Sequence, residues 1–386
     1  MARFVGFYPC ITKSVVASVA GAAIVVGPVG GVAAAVPRSD GVSSQIQTAP
    51  GTPDAPELSA LSWTVTDVGT GELLAAKAPH LRLPPASTLK TLFALALLPK
   101  LPAVTEHTAV TADIADVAPG SSLVGVHEGT NYTVGDLWRG VFLSSGNDAV
   151  RTLARLNGGL DLTLAQMQAT ANRLGAHDTS VRTPDGFDTP GQYSSAYDLS
   201  LFAKAGLRNP DFRRYCSTKS AQFPAVGGPD SFGIQNTNRL LVGSHGVEPY
   251  PGLIGVKNGY TSEAGNTLVS AATQGKRTIL VTVMNPQDTS SNAVYEESRE
   301  LLDWGFEAAP GAVRAGLGRG PASHAAPSHR PESAHHGAAA AQASTSSEDA
   351  SSGLTRHLGA AVALLGLACV PFVLKAVRRR RRRPTR

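Results

Sequence analysis

The sequence predicts an α/β domain: a mainly antiparallel sheet flanked by helices, with a helical subdomain inserted into its middle. Two hairpin signals and the stretch between them carry that prediction. Near the start of the body, residues 63–66 and 73–76 are short β-type runs around Gly69-Thr70-Gly71. Near its end, residues 265–272 and 277–284 are joined by the turn Thr273-Gln274-Gly275-Lys276. From about residue 100 to 250 the apolar spacing is helical, broken by many turns. Strands at both ends with helices between them call for one sheet completed by distant segments.

Taken in order, residues 1–35 read as an export signal, with Arg3 and Lys13 before an apolar Gly/Ala/Val stretch and a small-residue cleavage site at Ala33-Ala34-Ala35. A retained membrane anchor is the alternative. Residues 36–58, rich in Pro, Ser, Gly and Thr without an apolar period, are expected to form a flexible leader, and the folded domain is expected over 59–308. Pro84-Pro85 cannot lie inside a helix, and residues 87–98 are Leu/Ala-rich up to Pro99, so a buried helix begins near Ala86 or Ser87. Thr133 and Asp136 have capping-box spacing ahead of a helix over 137–143. Helical periods follow at 149–156, 164–174 and 196–207, and an amphipathic helix over 292–306 closes the body.

Residues 309–353, rich in Ala, Ser, His and Pro, read as a disordered stalk. Such a tether has a root-mean-square reach of about 35 Å, which suits an immobile polymeric substrate. A membrane helix is expected over 354–377, its apolar core at 358–377, followed by a basic tail at 378–386. The six consecutive arginines of that tail belong on the cytoplasmic side, which places the body outside the cell. The formal net charge of +5 is misleading, because Lys375, Arg378 to Arg383 and Arg386 supply eight positive charges with no acid among them. Without them the chain is net negative, so nucleic acid is not an expected partner. Cys216 is the one cysteine between the signal and the span, which excludes an internal disulfide in the body. The few histidines of the body show no paired ligand spacing, and no metal site is expected.

Three motifs carry the chemistry. In Ser87-Thr88-Leu89-Lys90, serine and lysine one helical turn apart share a face. The helix dipole favours developing negative charge at Ser87, and Lys90 serves as a base only when neutral, a state favoured by burial and a second cation. The alternative is an N-terminal serine and an ordinary surface lysine. Ser145-Gly146-Asn147 lies between two helical runs, either as a simple turn with Asn147 or Asp148 capping the next helix, or as a proton relay at Ser145 with Asn147 binding a substrate amide and helping to hold Lys90. Lys257-Asn258-Gly259 is either a type I′ hairpin turn at Asn258-Gly259 or part of one edge strand. In the second case Gly259 admits a substrate backbone, Lys257 attracts a carboxylate, and the backbone N–H near Tyr260 or Thr261 joins that of Ser87 as an oxyanion hole.

These motifs in this order, with residues 142–149, 193–199, Asn236-Thr237-Asn238 before Leu240-Leu241, and 255–261, resemble the serine D-alanyl-D-alanine carboxypeptidases. Those low-molecular-mass penicillin-binding proteins share a fold with serine β-lactamases and transpeptidases. The resemblance runs from near Leu58 to Ala308. It implies two-step acyl transfer on Ser87 that removes the terminal D-alanine of peptidoglycan stem peptides, with Lys90 and Ser145 catalytic. It further implies substrate binding by Asn147, Lys257, Asn258, Gly259, Tyr260 and Thr261, no cofactor, and β-lactams as covalent inhibitors. Asn258 departs from the family's usual threonine, and Thr261 offers a hydroxyl nearby. Nothing after Phe306 resembles the β-rich carboxyl-terminal domain of some relatives. The rivals are a serine β-lactamase and a catalytically weak or silent peptidoglycan-binding homologue.

Overall fold

A computed structural model describes residues 45–308. The export signal, the stalk, the membrane helix and the basic tail lie outside the described residues. The described residues begin with β1 (Ile46–Thr48), β2 (Ser62–Asp67) and β3 (Leu73–Lys77), followed by a 3-10 turn (Ala86–Leu89) that runs into α1 (Lys90–Leu97). Then come β4 (Glu106–Thr108), α2 (Thr111–Ile114), β5 (Asn131–Thr133), α3 (Val134–Leu143), α4 (Asn147–Leu156) and α5 (Leu160–Arg173). These are followed by α6 (Ala196–Gly206), α7 (Pro210–Ser217), β6 (Ser220–Pro224), β7 (Ser231–Gln235) and α8 (Arg239–Val242). The chain returns to the sheet with β8 (Leu253–Thr261), β9 (Gly265–Gln274) and β10 (Arg277–Met284), and α9 (Ala293–Glu307) closes it.

The main sheet has the antiparallel order β1-β3-β2-β10-β9-β8, so its first three strands come from one end of the body and its last three from the other. Period-two alternation sorts its faces. Trp63, Val65, Ile279, Val281 and Val283 pack beneath α9, while Leu280 and Met284 face the opposite core with α6. That second core is centred on α1, whose Leu92, Phe93 and Leu97 are fully buried against α5 and α6. Each such side chain contributes about 1.5–3 kcal/mol of burial free energy. An all-round apolar helix of this kind is a fixed post, and it carries Lys90 at its first position.

The expected hairpins and the helices at α3, α4, α5, α6 and α9 all form. Thr133 and Asp136 close their capping box, with the Asp136 N–H donating to Thr133 Oγ1 at 3.1 Å and the Thr133 N–H to Asp136 Oδ2 at 3.0 Å. One expectation needs correction, and one open alternative is decided. The 36–58 leader is not without regular structure over its described part, because Ile46 and Thr48 pair with Lys77 and Ala75, and the Ala49 N–H donates to the Leu74 carbonyl at 2.8 Å. A three-residue strand is too short to show a period, yet it satisfies the open edge of β3. Of the two readings of Lys257-Asn258-Gly259, the edge strand is the one that forms, since β8 ends the sheet, runs through both residues and pairs with β9 from Leu253 to Thr261.

Candidate active site

The turn that bears Ser87 is clamped from three sides. Ala86 is held at φ +49°, a left-handed conformation costing a non-glycine residue about 1–2 kcal/mol. The Pro85 carbonyl accepts from Thr267 Oγ1 of β9 at 3.1 Å. Gly186, at φ +85°, lies so close that a Cβ there would overlap the Ala86 carbonyl. Gly259 of β8 is equally tight, since a Cβ there would stand 2.6 Å from the Ser87 nitrogen and 2.7 Å from Thr267 Oγ1. Only glycine lets both segments approach the turn this closely. Ser87 therefore sits on a 3-10 turn just before α1 rather than within the helix.

Three residues later the chain supplies the base. Lys90 is 1% exposed, and its Nζ donates to Ser87 Oγ at 2.6 Å, the Asp185 carbonyl at 3.1 Å and Ser145 Oγ at 3.3 Å. Burial lowers its pKa to about 8, against the opposing pull of the Asp185 and Asp148 carboxylates. Ser145 lies between α3 and α4 at φ +57°. Its loop is braced by Asp148, which accepts from the N–H groups of Val124 at 3.0 Å, Gly125 at 2.7 Å and Val126 at 2.8 Å. Asn147 Nδ2 donates to Ser121 Oγ at 3.0 Å, and its Oδ1 is buried with no protein partner. Asn147 does not hold Lys90, as the sequence reading expected. The Asp185 carbonyl fills that place, accepting from Lys90 Nζ.

Lys257 is also 1% exposed and sits on the strand bordering the same turn. Its Nζ donates to the Asn258 carbonyl at 2.8 Å, and burial together with the nearby Lys90 charge holds its pKa well below that of an ordinary lysine. The Asn258 amide oxygen also accepts from Lys257 Nζ, at 3.4 Å, but its shorter contact is with Thr237. That oxygen accepts from Thr237 Oγ1 at 3.0 Å, and Asn258 Nδ2 donates to the Thr237 carbonyl and the Tyr295 hydroxyl, each at 3.4 Å. A cavity of about 230 Å³ opens over the site, lined by Ser87, Asn147, Asp185, Tyr260 and Thr261 among others. Tyr260 is 69% exposed at its mouth, whereas Asn258 is not part of its lining. Among the described residues no group of three or more His, Cys, Asp or Glu is placed to hold a metal ion.

Residues 49–288 match the family model described as D-alanyl-D-alanine carboxypeptidase. The chain belongs to that family. It is 38% identical over 261 residues to D-alanyl-D-alanine carboxypeptidase DacB2 of Mycobacterium tuberculosis, covering 67% of this chain and 85% of that protein. Identity to DacD of Escherichia coli is 34% over 266 residues, and the match spans only 65% of that protein's length. A solved D-alanyl-D-alanine carboxypeptidase of M. tuberculosis superposes with a TM-score of 0.63 at 36% identity, covering 70% of this chain and all of that one. The Streptomyces K15 DD-transpeptidase superposes with a TM-score of 0.61 at 30% identity, covering 66% of this chain and 99% of its own. The protein is thus a serine-type hydrolase of the D-alanyl-D-alanine carboxypeptidase family, with the α/β fold of penicillin-binding proteins.

Sequence reasoning missed three parts of the cleft: the Asp185 carbonyl, the Asp148 brace and the Thr237 contact to Asn258. Pro184-Asp185-Gly186 has turn chemistry, but nothing in its spacing joins it to Ser87.

Proposed function

We propose that this carboxypeptidase is anchored outside the cell by its C-terminal segment and trims the terminal D-alanine from peptidoglycan stem peptides through an acyl-enzyme on Ser87. The observation that carries the mechanism is the 2.6 Å contact between Ser87 Oγ and a buried Lys90. Two lysines buried in one cleft favour a single shared charge. A substrate carboxylate beside Lys257 draws that charge to Lys257 and leaves Lys90 neutral. Neutral Lys90 takes the Ser87 proton as the oxygen attacks the carbonyl of the penultimate D-alanine. The backbone N–H groups of Ser87 and Tyr260 receive the oxyanion. The C–N bond breaks, and the leaving amine takes a proton from Lys90 by way of Ser145, which lies 3.3 Å from Nζ. Water then attacks the Ser87 ester by the reverse proton path and frees the shortened peptide. Asn147, with an open Oδ1 at the cavity wall, suits a substrate amide N–H.

β-Lactams offer the same carbonyl and carboxylate, so penicillin should acylate Ser87 and leave only slowly. The export signal and the 354–377 segment with its arginine tail support an extracytoplasmic body on a single C-terminal span. The test is intact-mass analysis after fluorescent penicillin, with the labelled peptide mapped, alongside D-alanine release from a stem peptide. We expect one adduct on Ser87 and neither adduct nor release from Ser87→Ala. A label elsewhere would overturn the mechanism, and rapid turnover of the drug would indicate a β-lactamase.

A further inference from the structure

At the opposite end of β8 from the catalytic cleft lies a second and larger cavity, of about 950 Å³. Its walls include Leu207, Pro210, Leu253 and Ile254, and Arg208 and Arg213 stand exposed on its rim. Lys204 lies one helical turn before Arg208, close enough that the two cations repel. Asp211 pairs with Arg214, itself on the cavity wall, at 2.8 Å, and Asp67 pairs with Arg277 at 3.1 Å, so neither acid neutralises Arg208 or Arg213. Among the described residues no ion pair or side-chain hydrogen bond engages Lys204, Arg208 or Arg213. This cluster runs against its surroundings, since acids outnumber bases over residues 45–308. Unpaired cations around an apolar floor match a ligand that joins a phosphate ester to hydrocarbon.

The course of the chain identifies the source of that ligand. Arg277, held by Asp67, donates from Nη1 to the carbonyls of Phe306 and Ala308, each at 3.1 Å. Val68, the residue after Asp67, lines the cavity. The last described residue, Ala308, therefore stands near this cavity, and the segment read above as the membrane span follows it in sequence. We propose that the Arg208/Arg213 cavity is a docking site for anionic phospholipid headgroups, so that the tethered enzyme rests on the membrane with its catalytic cleft turned outward. The inference rests on the proposed anchoring. Leu253 in this cavity and Tyr260 in the cleft are seven residues apart on one strand, which sets the two sites about 23 Å apart.

Three cations at an anionic surface raise the bound fraction on the order of a hundredfold, an effect that salt screens. The experiment uses the full chain in nanodiscs of phosphatidylcholine alone or with a share of phosphatidylglycerol, followed by hydrogen exchange of residues 204–217. Protection is expected only in the anionic discs, and it should vanish in high salt and in the double variant Arg208→Glu with Arg213→Glu. Penicillin acylation of that variant in neutral detergent should match wild type, which shows that it is folded. Equal protection in both kinds of disc, or in wild type and variant, would overturn the proposal. Protection by soluble glycerol phosphate without anionic lipid would also overturn it, in favour of a free phosphate ester. A chain that does not stay with neutral discs defeats the anchoring instead, and its cosedimentation with phosphatidylglycerol vesicles then tests the cavity alone.

Discussion

The helix start that bears Lys90 and the strand that bears Lys257 each bring a lysine with 1% exposure to one cleft, yet they treat its charge differently. Lys90 faces two hydroxyls and a carbonyl, with the Asp185 and Asp148 carboxylates in range. Lys257 has the Asn258 carbonyl and amide oxygen as its neighbours and Lys90 as its opposing charge. The first environment tolerates a proton and can give it up, whereas the second awaits an anion from outside. Residue type is the same in both, and the surroundings set the role.

The sharpest way to break this comparison is to remove the base. Lys90→Met keeps the apolar stem and deletes the amine, and acylation by fluorescent penicillin should fall by about a thousandfold. An equal fall in Lys257→Met with Lys90→Met nearly silent would reverse the assignment. Next in size is Gly259→Ala. The added methyl meets backbone at Ser87, which has no rotamer to yield. A displacement of about an ångström should cost about a hundredfold in acylation. Thermal unfolding run alongside separates this from collapse of the fold, and wild-type acylation would mean that the turn is looser than its contacts imply.

The pH profile is a milder probe. Neutral Lys90 is the active form, and its pKa is about 8, so kcat/KM should rise with pH and level off near that value. On the acid limb the slope is about tenfold per unit. If a carboxylate moves the shared proton to Lys257, the profile of kcat for a D-alanyl-D-alanine peptide should bend at lower pH than that for its C-terminal amide. Identical profiles would remove the exchange between the two lysines.

The two segments also differ in how much of them was legible. Ser87 and Lys90 announce themselves by spacing, because a helical turn fixes their mutual geometry. The hairpins and α1 were readable for the same reason, being local periodicities bounded by Gly and Pro. Lys257-Asn258-Gly259 was ambiguous, since Asn-Gly has the chemistry of a tight turn, and only the ladder to β9 decides for a strand. The carbonyl of Asp185 was invisible, because a backbone oxygen 95 residues from Lys90 leaves no mark in side-chain pattern. β1 escaped because its three residues matter only once β3 presents an edge.

Asn258 is where the two readings part. Its position in the third motif points to substrate binding, but its amide contacts Thr237, Tyr295 and, at 3.4 Å, Lys257 Nζ, and takes no part in lining the cavity. Asn258→Thr should therefore change penicillin acylation by less than about threefold. Most of the lost amide bonds are long and the residue is half-exposed, so stability should fall by about 1 kcal/mol, which lowers Tm by about 2–4 °C. A tenfold gain in acylation with unchanged Tm would show instead that a hydroxyl at this position reaches the carboxylate, and that asparagine restrains the enzyme. Thr237→Val separates the cases further. It removes the hydroxyl that holds Asn258 Oδ1, and it should alter acylation only if the released amide swings into the cleft.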